Sequence, residues 1–192
     1  MRPSTTAILA TAAAAASMVL LGACGGSPSE AATSTATSTT ASRQAASRPA
    51  CLPNCANADL RGVTLSVMAS GLDFSGADLS DAKLQPAFLL RTNFAGANLS
   101  RALLAEGHFL EVNFEGANLT GATFGEMTGG RANFTDANLT DAMFIRVLAS
   151  QVNFTGANLT GVRIRDTTFS RSTFSNTTCP NGTKTNTGCW PG

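Results

Sequence analysis

The side chains best suited to chemistry in this 192-residue chain are its five cysteines and its single histidine. Four of the cysteines form two local pairs, Cys51 with Cys55 and Cys179 with Cys189. Thiols form disulfides in an oxidising compartment, and four that converge can hold a metal such as zinc. Three disulfide pairings are possible. The choice among these outcomes depends on how the chain between the two pairs folds.

Signs of a catalytic site are sparse. His108 stands beside Phe109 at a position that we expect to face solvent. The sequence contains no G-x-S-x-G motif, phosphate-binding loop or dinucleotide fingerprint, and its carboxylates are scattered. We therefore predict a protein that is not an enzyme and that uses no cofactor and no metal.

The secondary structure that positions these residues can be predicted from a repeat of five residues along the chain. Between Leu72 and Asn176 a large apolar residue, usually Phe or Leu, occupies almost every fifth position. A longer period of twenty runs through it: the sequence of residues 93–99 recurs at 113–119, 133–139 and 153–159. A five-residue unit can form one side of a coil. Four units then complete one turn, so that residues twenty apart stack directly.

In each unit two side chains point inward, the large central residue and the residue two positions before it, because side chains alternate along a strand. The earlier position is mostly Ala, as at Ala97 and Ala117, since a narrow interior cannot hold two large residues per side. The outer positions carry Asn, Asp, Ser and Thr. Glycines at the corners suit a positive φ; they are Gly76, Gly96, Gly116, Gly121, Gly156 and Gly161.

Two local departures from the repeat carry predictions. Ser70 and Phe74 are only four residues apart, which predicts a β-bulge between them. Gly129 and Ala149 replace large central residues on one side, while their inward neighbours enlarge to Met127 and Val147. We expect the larger inward neighbours to fill the space that the smaller central residues leave, so that the core has no cavity.

These units resemble the pentapeptide-repeat family, whose pattern is A-(D/N)-L-x-x. The segments 97–101 and 117–121 match it outright. The resemblance covers residues 58–179 and implies an all-β fold, a right-handed quadrilateral β-helix of about six coils. It implies no common activity. Some members resemble DNA in shape and charge and protect gyrase from inhibitors.

The N-terminal region indicates export. Residues 1–23 read as a signal peptide, and Leu21-Gly22-Ala23-Cys24 resembles a bacterial lipobox. This resemblance implies lipidation of Cys24 and an anchor in the cell membrane, facing the periplasm or the cell exterior. An ordinary signal peptide or a single membrane span, with Cys24 incidental, is the alternative. Residues 24–50 are rich in Ser, Thr and Ala and are predicted to form a disordered, flexible tether.

The coil favours local disulfides over a metal site. Six turns at about 4.8 Å each separate its ends by roughly 29 Å. This distance favours Cys51 with Cys55 and Cys179 with Cys189, and it argues against four converging sulfurs. We predict a Cys cap at residues 51–57 and a C-terminal cap or tail at residues 180–192, where Trp190 covers the last turn.

The sides of the coil differ in composition, and this difference carries the functional prediction. Two sides expose Asn, Ser, Thr and Gly, whereas the other two expose apolar residues beside recurring arginines. The predicted partner surface comprises Phe88, Leu90, Arg91, Leu103, Leu110, Arg131, Met143, Ile145 and Leu148. The alternative, that these residues pack under the terminal tails or are merely tolerated, stays open.

The leading functional hypothesis is an exported, membrane-anchored scaffold or interaction module that binds an unknown protein partner or a second copy. A DNA-mimicking gyrase or topoisomerase protector is the alternative. That role needs a dense acidic face and a cytoplasmic address. Residues 58–179 instead mix eleven acidic with nine basic side chains, and the N-terminus indicates export. We expect no nucleic-acid partner.

Overall fold

The computed structural model describes residues 49–68 and 70–190, and every regular element within these ranges is a β-strand. The predicted signal peptide, Cys24 and residues 24–48 of the predicted tether lie outside the described residues. No helix in the described part of the chain is long and apolar enough to cross a bilayer.

Ten strands follow one another along the chain. They are β1 Thr64–Val67, β2 Lys83–Leu90, β3 Leu103–Leu110, β4 Thr123–Gly130, β5 Met143–Ile145, β6 Leu148–Ser150, β7 Arg163–Arg165, β8 Thr168–Ser170, β9 Thr177–Thr178 and β10 Lys184–Thr185. Strands β2 to β4 each run through two sides of the coil. In the next two turns the same path is divided, into β5 and β6 and then into β7 and β8.

The strands stack in parallel with a register of twenty residues, as the sequence predicts. Lys83 pairs with Leu103, Leu103 with Thr123, and Thr123 with Met143. The large sheet has the order β1-β2-β3-β4-β5-β7, with β6 and β8 stacked beside it on β4. Six stacked segments make about five turns, one fewer than the six coils expected. The predicted all-β solenoid is confirmed.

We name the four sides by their central residues in one turn, together with the residues twenty apart from them. Side 1 is centred on Phe94, side 2 on Leu99, side 3 on Leu104 and side 4 on Phe109. All four central residues are buried, and so are Ala97 and Ala102 at the smaller inward positions. The core is therefore a continuous apolar column along the inside of the coil.

Phenylalanine rings stack along this column. Phe114 on side 1 lies with its ring centroid 5.2 Å from that of Phe94 and 4.8 Å from that of Phe134, with nearly parallel planes. It also meets Phe124 of side 3 edge-on at 5.9 Å. Rings at these distances and angles attract each other beyond the area that they bury. The column thus joins neighbouring turns and opposite sides of the coil.

Side 4 shows the predicted exchange of volume. Met127 and Val147 are fully buried at the smaller inward positions, next to Gly129 and Ala149 at the central ones. One turn earlier the order is reversed, because Gly107 precedes the buried Phe109. A Cβ on Gly107 would collide with the carbonyl oxygen of Ala87. The backbones of adjacent turns approach closely there.

The predicted position of the bulge is wrong by one side. Leu65 pairs with Leu84, nineteen residues later, whereas Val67 pairs with Ala87, twenty residues later. The irregularity therefore lies between Leu65 and Val67. The reason is burial: Val67 points into the core, while the polar Ser70 is exposed and pairs with Leu90.

Both ends carry a disulfide that joins the residues of one local pair. Cys51 is bonded to Cys55 and Cys179 to Cys189. At the C-terminal end Trp190 lies across the exposed end of the core, with its ring centroid 5.4 Å from that of Phe169 and 5.8 Å from that of Phe174. The tail is thus held over the last turn.

Candidate interaction surface on the variable sides

Sides 1 and 2, which we call the ladder sides, use their outer amides to hold the coil together. Asn113 Nδ2 donates to Asn93 Oδ1 at 3.2 Å, and Asn133 Nδ2 donates to Asn113 Oδ1 at 3.1 Å. Asn113 Oδ1 also accepts the backbone N–H of Glu115 at 3.2 Å. Each amide therefore closes its own corner and bonds to the turns before and after it.

The ladder on side 2 is less uniform. Asn118 Nδ2 donates to Asn98 Oδ1 at 3.1 Å, but Asn138 Nδ2 donates to Thr120 Oγ1 and Asn158 Nδ2 to Thr140 Oγ1, both at 3.1 Å. These polar groups already have partners within the coil. Stacking between turns accounts for the Asn ladders without an external ligand.

Sides 3 and 4, which we call the variable sides, carry apolar residues on the outside. Leu89 and Phe109 point into the core, so alternation directs Phe88, Leu90 and Leu110 outward. These three side chains are 37 to 39% exposed. Because β2 and β3 pair in register, with Leu90 next to Leu110, the exposed side chains lie together across two turns.

A groove of about 460 Å³ lies on side 4 and is lined mainly by these residues. Its lining comprises Met68, Ser70, Phe88, Leu90, His108 and Leu110. Met68 is 71% exposed at the end of β1. Exposed apolar side chains gathered in a concave surface are typical of a contact site, so this groove is the candidate contact site among the described residues.

The structure brings only part of the predicted surface together. Phe88, Leu90 and Leu110 line the groove, whereas Leu148 is 57% exposed on side 4 two turns beyond Leu110. Leu103, Met143 and Ile145 lie half-buried on side 3. The nine predicted residues therefore do not form one patch. They form a groove near the N-terminal end and scattered positions beyond it.

The sequence prediction missed three residues of the groove. Met68 and Ser70 directly follow the irregularity between Leu65 and Val67, where counting by five assigns the wrong positions. His108 was expected on the surface but not in a site; it pairs with Phe88, and its Nδ1 lies 2.5 Å from Thr128 Oγ1. The period of twenty places His108 between Phe88 and Thr128, so the signal for it was present.

The arginines at the corner after side 4 are part of an alternating charge ladder. Arg91 Nε lies 3.0 Å from Glu111 Oε2, and Arg131 Nη1 lies 2.8 Å from Glu111 Oε1. Hydrogen bonds from Arg91 and Arg131 lower the pKa of Glu111. The sequence prediction placed both arginines on the partner surface but overlooked the glutamate between them. Much of their charge is thus neutralised within the coil.

Non-glycine residues occupy many of the corners. Arg91, Glu111, Arg131, Gln151 and Arg171 all have φ between 52 and 57°. The predicted corner glycines, such as Gly96 and Gly116, have φ of 63 and 62°. The corner geometry is therefore common to all sides and does not require glycine.

No group of three or more His, Cys, Asp or Glu side chains within residues 49–68 and 70–190 is arranged to hold a metal ion. The acidic and basic side chains that come close form ion pairs at the corners, for example Arg101 with Asp81 and Arg146 with Glu126.

Comparison with known proteins agrees with this architecture. Eight copies of the family model described as pentapeptide repeats match residues 73–106, 97–128 and 132–171, which together make up half of the chain. A search of curated proteins finds no match.

Among solved structures, the chain is similar to a pentapeptide repeat protein, Rfr23, from the cyanobacterium Cyanothece 51142. The two are 24% identical over 61% of this chain and 91% of that one, with a TM-score of 0.41. It is also similar to QnrB1, a plasmid-mediated fluoroquinolone resistance protein, at 21% identity over 65% of this chain and 69% of that one, with a TM-score of 0.44. A further similarity, to a protein of the Arabidopsis thaliana thylakoid lumen, has 28% identity over 54% of this chain and 66% of that one, with a TM-score of 0.25.

Proposed function

This chain belongs to the pentapeptide repeat family, and from that premise we propose that it is an exported, membrane-anchored module that binds another protein and catalyses no reaction. The binding site is the groove on side 4. One observation carries the proposal: exposed apolar side chains converge in that groove, while the ladder sides present polar groups that already bond to one another.

The physical argument rests on the cost of exposure. Phe88, Leu90 and Leu110 each keep more than a third of their surface in water, and burial of apolar surface is favourable by about 25 cal/mol per Å². A central cluster of aromatic or aliphatic anchors in a pocket is what a binding interface between proteins needs. The corner ladder with Arg91, Glu111 and Arg131 runs beside the groove and supplies a polar rim.

Export and anchoring rest on the sequence alone. The apolar N-terminal stretch and Leu21-Gly22-Ala23-Cys24 support cleavage before Cys24 and attachment of lipid to its sulfur. The two local disulfides suit an oxidising compartment outside the cytoplasm. The module would then act at the membrane surface, in the periplasm or on the cell exterior.

Photo-crosslinking in living cells tests the binding site. A photo-reactive residue in place of Leu90 should capture a discrete partner, and the same residue in place of Thr120 on side 2 is the matched control. Replacing Phe88, Leu110 and Met68 together with Ser should abolish capture from position 90 while leaving the melting temperature nearly unchanged. Equal capture from both positions, or capture that survives the triple replacement, would contradict the proposal.

Metabolic labelling with a fatty-acid analogue tests the anchor separately. The full chain should incorporate the label and fractionate with membranes, and Cys24→Ser should lose both properties. An unlabelled protein in the soluble exported fraction would leave an interaction module without an anchor.

The gyrase-protector alternative makes a different prediction. It requires a dense acidic face, whereas Arg91, Glu111 and Arg131 alternate in sign at their corner. If the purified chain restored supercoiling by inhibited gyrase, that result would favour the alternative.

A further inference from the structure

The C-terminal end of the variable sides is an open strand edge. Within the described residues, β7 pairs only with β5 and β8 pairs only with β6. The ladder sides continue for one more step, since Asn153 pairs with Thr173 and Asn158 with Thr178. The tail does not close the open edge, because β10 folds back onto β9 in an antiparallel pair.

Backbone groups at this edge face outward. The Arg163 N–H donates to the Ala142 carbonyl at 3.0 Å, and the Arg165 carbonyl accepts from the Arg146 N–H at 2.8 Å. Successive backbone groups of a strand point to opposite edges. The N–H and C=O of Ile164, which lies between the two arginines, therefore point to the unpaired edge.

On side 3 the core column also ends without a cover, because Trp190 lies against Phe169 of side 4 and Phe174 of side 1. Phe124 and Phe144, below Ile164 on side 3, are fully buried, but Ile164 is 37% exposed because no turn stacks on it. One apolar side chain from another strand would continue the column. An edge of this kind accepts an added strand through main-chain hydrogen bonds, and its side-chain positions select the sequence.

The charges at the edge differ from those elsewhere on the coil. Five arginines of the described chain form ion pairs with carboxylates: Arg61, Arg91, Arg101, Arg131 and Arg146. Arg163 and Arg165 flank Ile164 and Arg171 occupies the corner after β8, and none of the three has an ion pair within the described residues. Asp166 is the one acidic residue between them. The edge thus carries unneutralised positive charge.

The geometry points to a docking site for an extended acidic segment of a partner protein, which adds to β7 as a further strand. Its sequence alternates acidic, apolar and acidic residues: the apolar side chain covers Ile164, and the two carboxylates meet Arg163 and Arg165. This site is separate from the side 4 groove and does not depend on the proposed function. A second copy offers β1, whose residues Thr64, Leu65 and Ser66 match the alternation but carry no acidic charge.

Binding of synthetic peptides to the full chain tests this site. The probe is a blocked, fluorescein-labelled nine-residue peptide that alternates Glu and Val, and its control alternates Lys and Val. Fluorescence anisotropy should show the Glu peptide binding at least tenfold more tightly, with an affinity that falls as salt is added. Arg163→Glu with Arg165→Glu should reverse this preference. Arg61→Glu with Arg101→Glu makes the same change in net charge elsewhere and should leave it intact.

A second variant separates strand addition from simple charge attraction. Ile164→Pro removes the outward N–H at an edge position where proline is tolerated. It should weaken binding of the Glu peptide at least tenfold while both arginines remain, and thermal melting checks that the coil is intact. If the Ile164→Pro variant unfolds, the proposal is tested by the double Arg variant alone, through the reversal of the preference for the Glu peptide.

Three results would overturn the proposal. They are equal binding of both peptides, tight binding of the Glu peptide to a folded Ile164→Pro variant, and loss of binding in the control variant. Concentration-dependent association of the chain with itself that the Glu peptide displaces and the double Arg variant abolishes would assign the edge to a second copy instead. Because the assay does not involve the side 4 groove, its failure would leave the proposed function standing.

Discussion

The ladder sides and the variable sides have the same backbone path and the same inward alternation, yet their exteriors differ. On the ladder sides, one amide per turn bonds to the turns before and after it, as Asn113 does. On the variable sides, the equivalent outer positions hold Phe88, His108 and Thr128 in one column. A regular coil needs only some of its sides for cohesion between side chains. The others can vary, and recognition is expected on them.

The largest effect should come from the core that both pairs of sides share. Phe114→Ala removes a fully buried ring that stacks on Phe94 and Phe134, and it should lower the free energy of unfolding by about 3–5 kcal/mol. Phe88→Ala on the outside of side 4 should cost less than about 1 kcal/mol. Chemical denaturation measures both. Similar losses in the two variants would mean that Phe88 belongs to the core.

The next effect tests whether side 4 can be made like a ladder side. Gly107→Ala introduces the residue that the ladder sides use at the same position, as in Ala97. Its Cβ would collide with the Ala87 carbonyl, so we expect a loss of about 1–3 kcal/mol. Gly125→Ala is the matched control, because its Cβ would lie 3.7 Å from that of Ala105, an ordinary contact. An unchanged melting temperature for Gly107→Ala would contradict this, because it would mean that the backbones of the two turns move apart at no cost in stability.

A third variant removes cohesion from a ladder side. Asn113→Ala loses the bonds to Asn93, Glu115 and Asn133 and should destabilise the coil by about 1–2 kcal/mol. His108→Ala, on the variable exterior, should change stability by no more than about 0.5 kcal/mol. Thermal unfolding of the two variants side by side would show whether the outer amides stabilise the stack. If the two substitutions cost the same, the proposed division of roles between the sides fails.

Replacing one buried residue of a ladder side is expected to raise the stability of the coil. Thr92 is 1% exposed, and its hydroxyl oxygen has no hydrogen-bond partner. Thr92→Val replaces it with the residue found one turn later at Val112 and should stabilise the coil by about 1 kcal/mol, since a buried polar group without a partner costs about 1–3 kcal/mol. A higher denaturation midpoint would support this. A lower midpoint would indicate that a water molecule bonds to the hydroxyl.

The smallest effect concerns acid. The Ser75 N–H donates to Asp73 at the start of a ladder and lowers the pKa of this carboxyl, and hydrogen bonds from Arg91 and Arg131 lower the pKa of Glu111 at a variable corner. A lowered carboxyl pKa stabilises the fold above the unfolded value of about 4 and ceases to do so as the pH falls through the folded value. Melting temperatures should therefore decline below pH 4. Asp73→Asn, which fits the ladder as Asn93 does, should reduce this decline.

Salt separates the two regions in the same measurement. The Asp73 contribution comes from neutral donors and should persist at high salt, whereas the Glu111 contribution comes from exposed arginines and should be screened. Glu111→Gln provides the comparison. An identical salt response from Asp73→Asn and Glu111→Gln would contradict this assignment of causes.

Much of the fold can be predicted from the spacing of apolar residues along the sequence. A period of five with a superperiod of twenty predicts which side chains stack, and Phe94, Phe114 and Phe134 do so. The first turn was predicted less well. One missing residue offsets the first turn by one position from the rest of the repeat, and only the burial of Val67 and the exposure of Ser70 locate the irregularity.

The candidate surface was predicted only in part. Exposed apolar residues can be assigned from alternation, and Phe88, Leu90 and Leu110 were assigned correctly to the outside. Whether they form one surface depends on which turn and which side each one occupies. Leu148 and Ile145 are apolar like the groove residues, but they lie further along the coil and do not line the groove.

By itself the sequence determined the period and the inward and outward alternation, because both depend on neighbours at a constant separation along the chain. Only the tertiary structure decided which charges are neutralised and which strand edge is open. Arg91 and Arg171 occupy the same corner position in the repeat, but the first stacks against Glu111 of the next turn and the second follows β8, where the stack ends. The interaction of a side chain with the turn above it depends on whether such a turn exists.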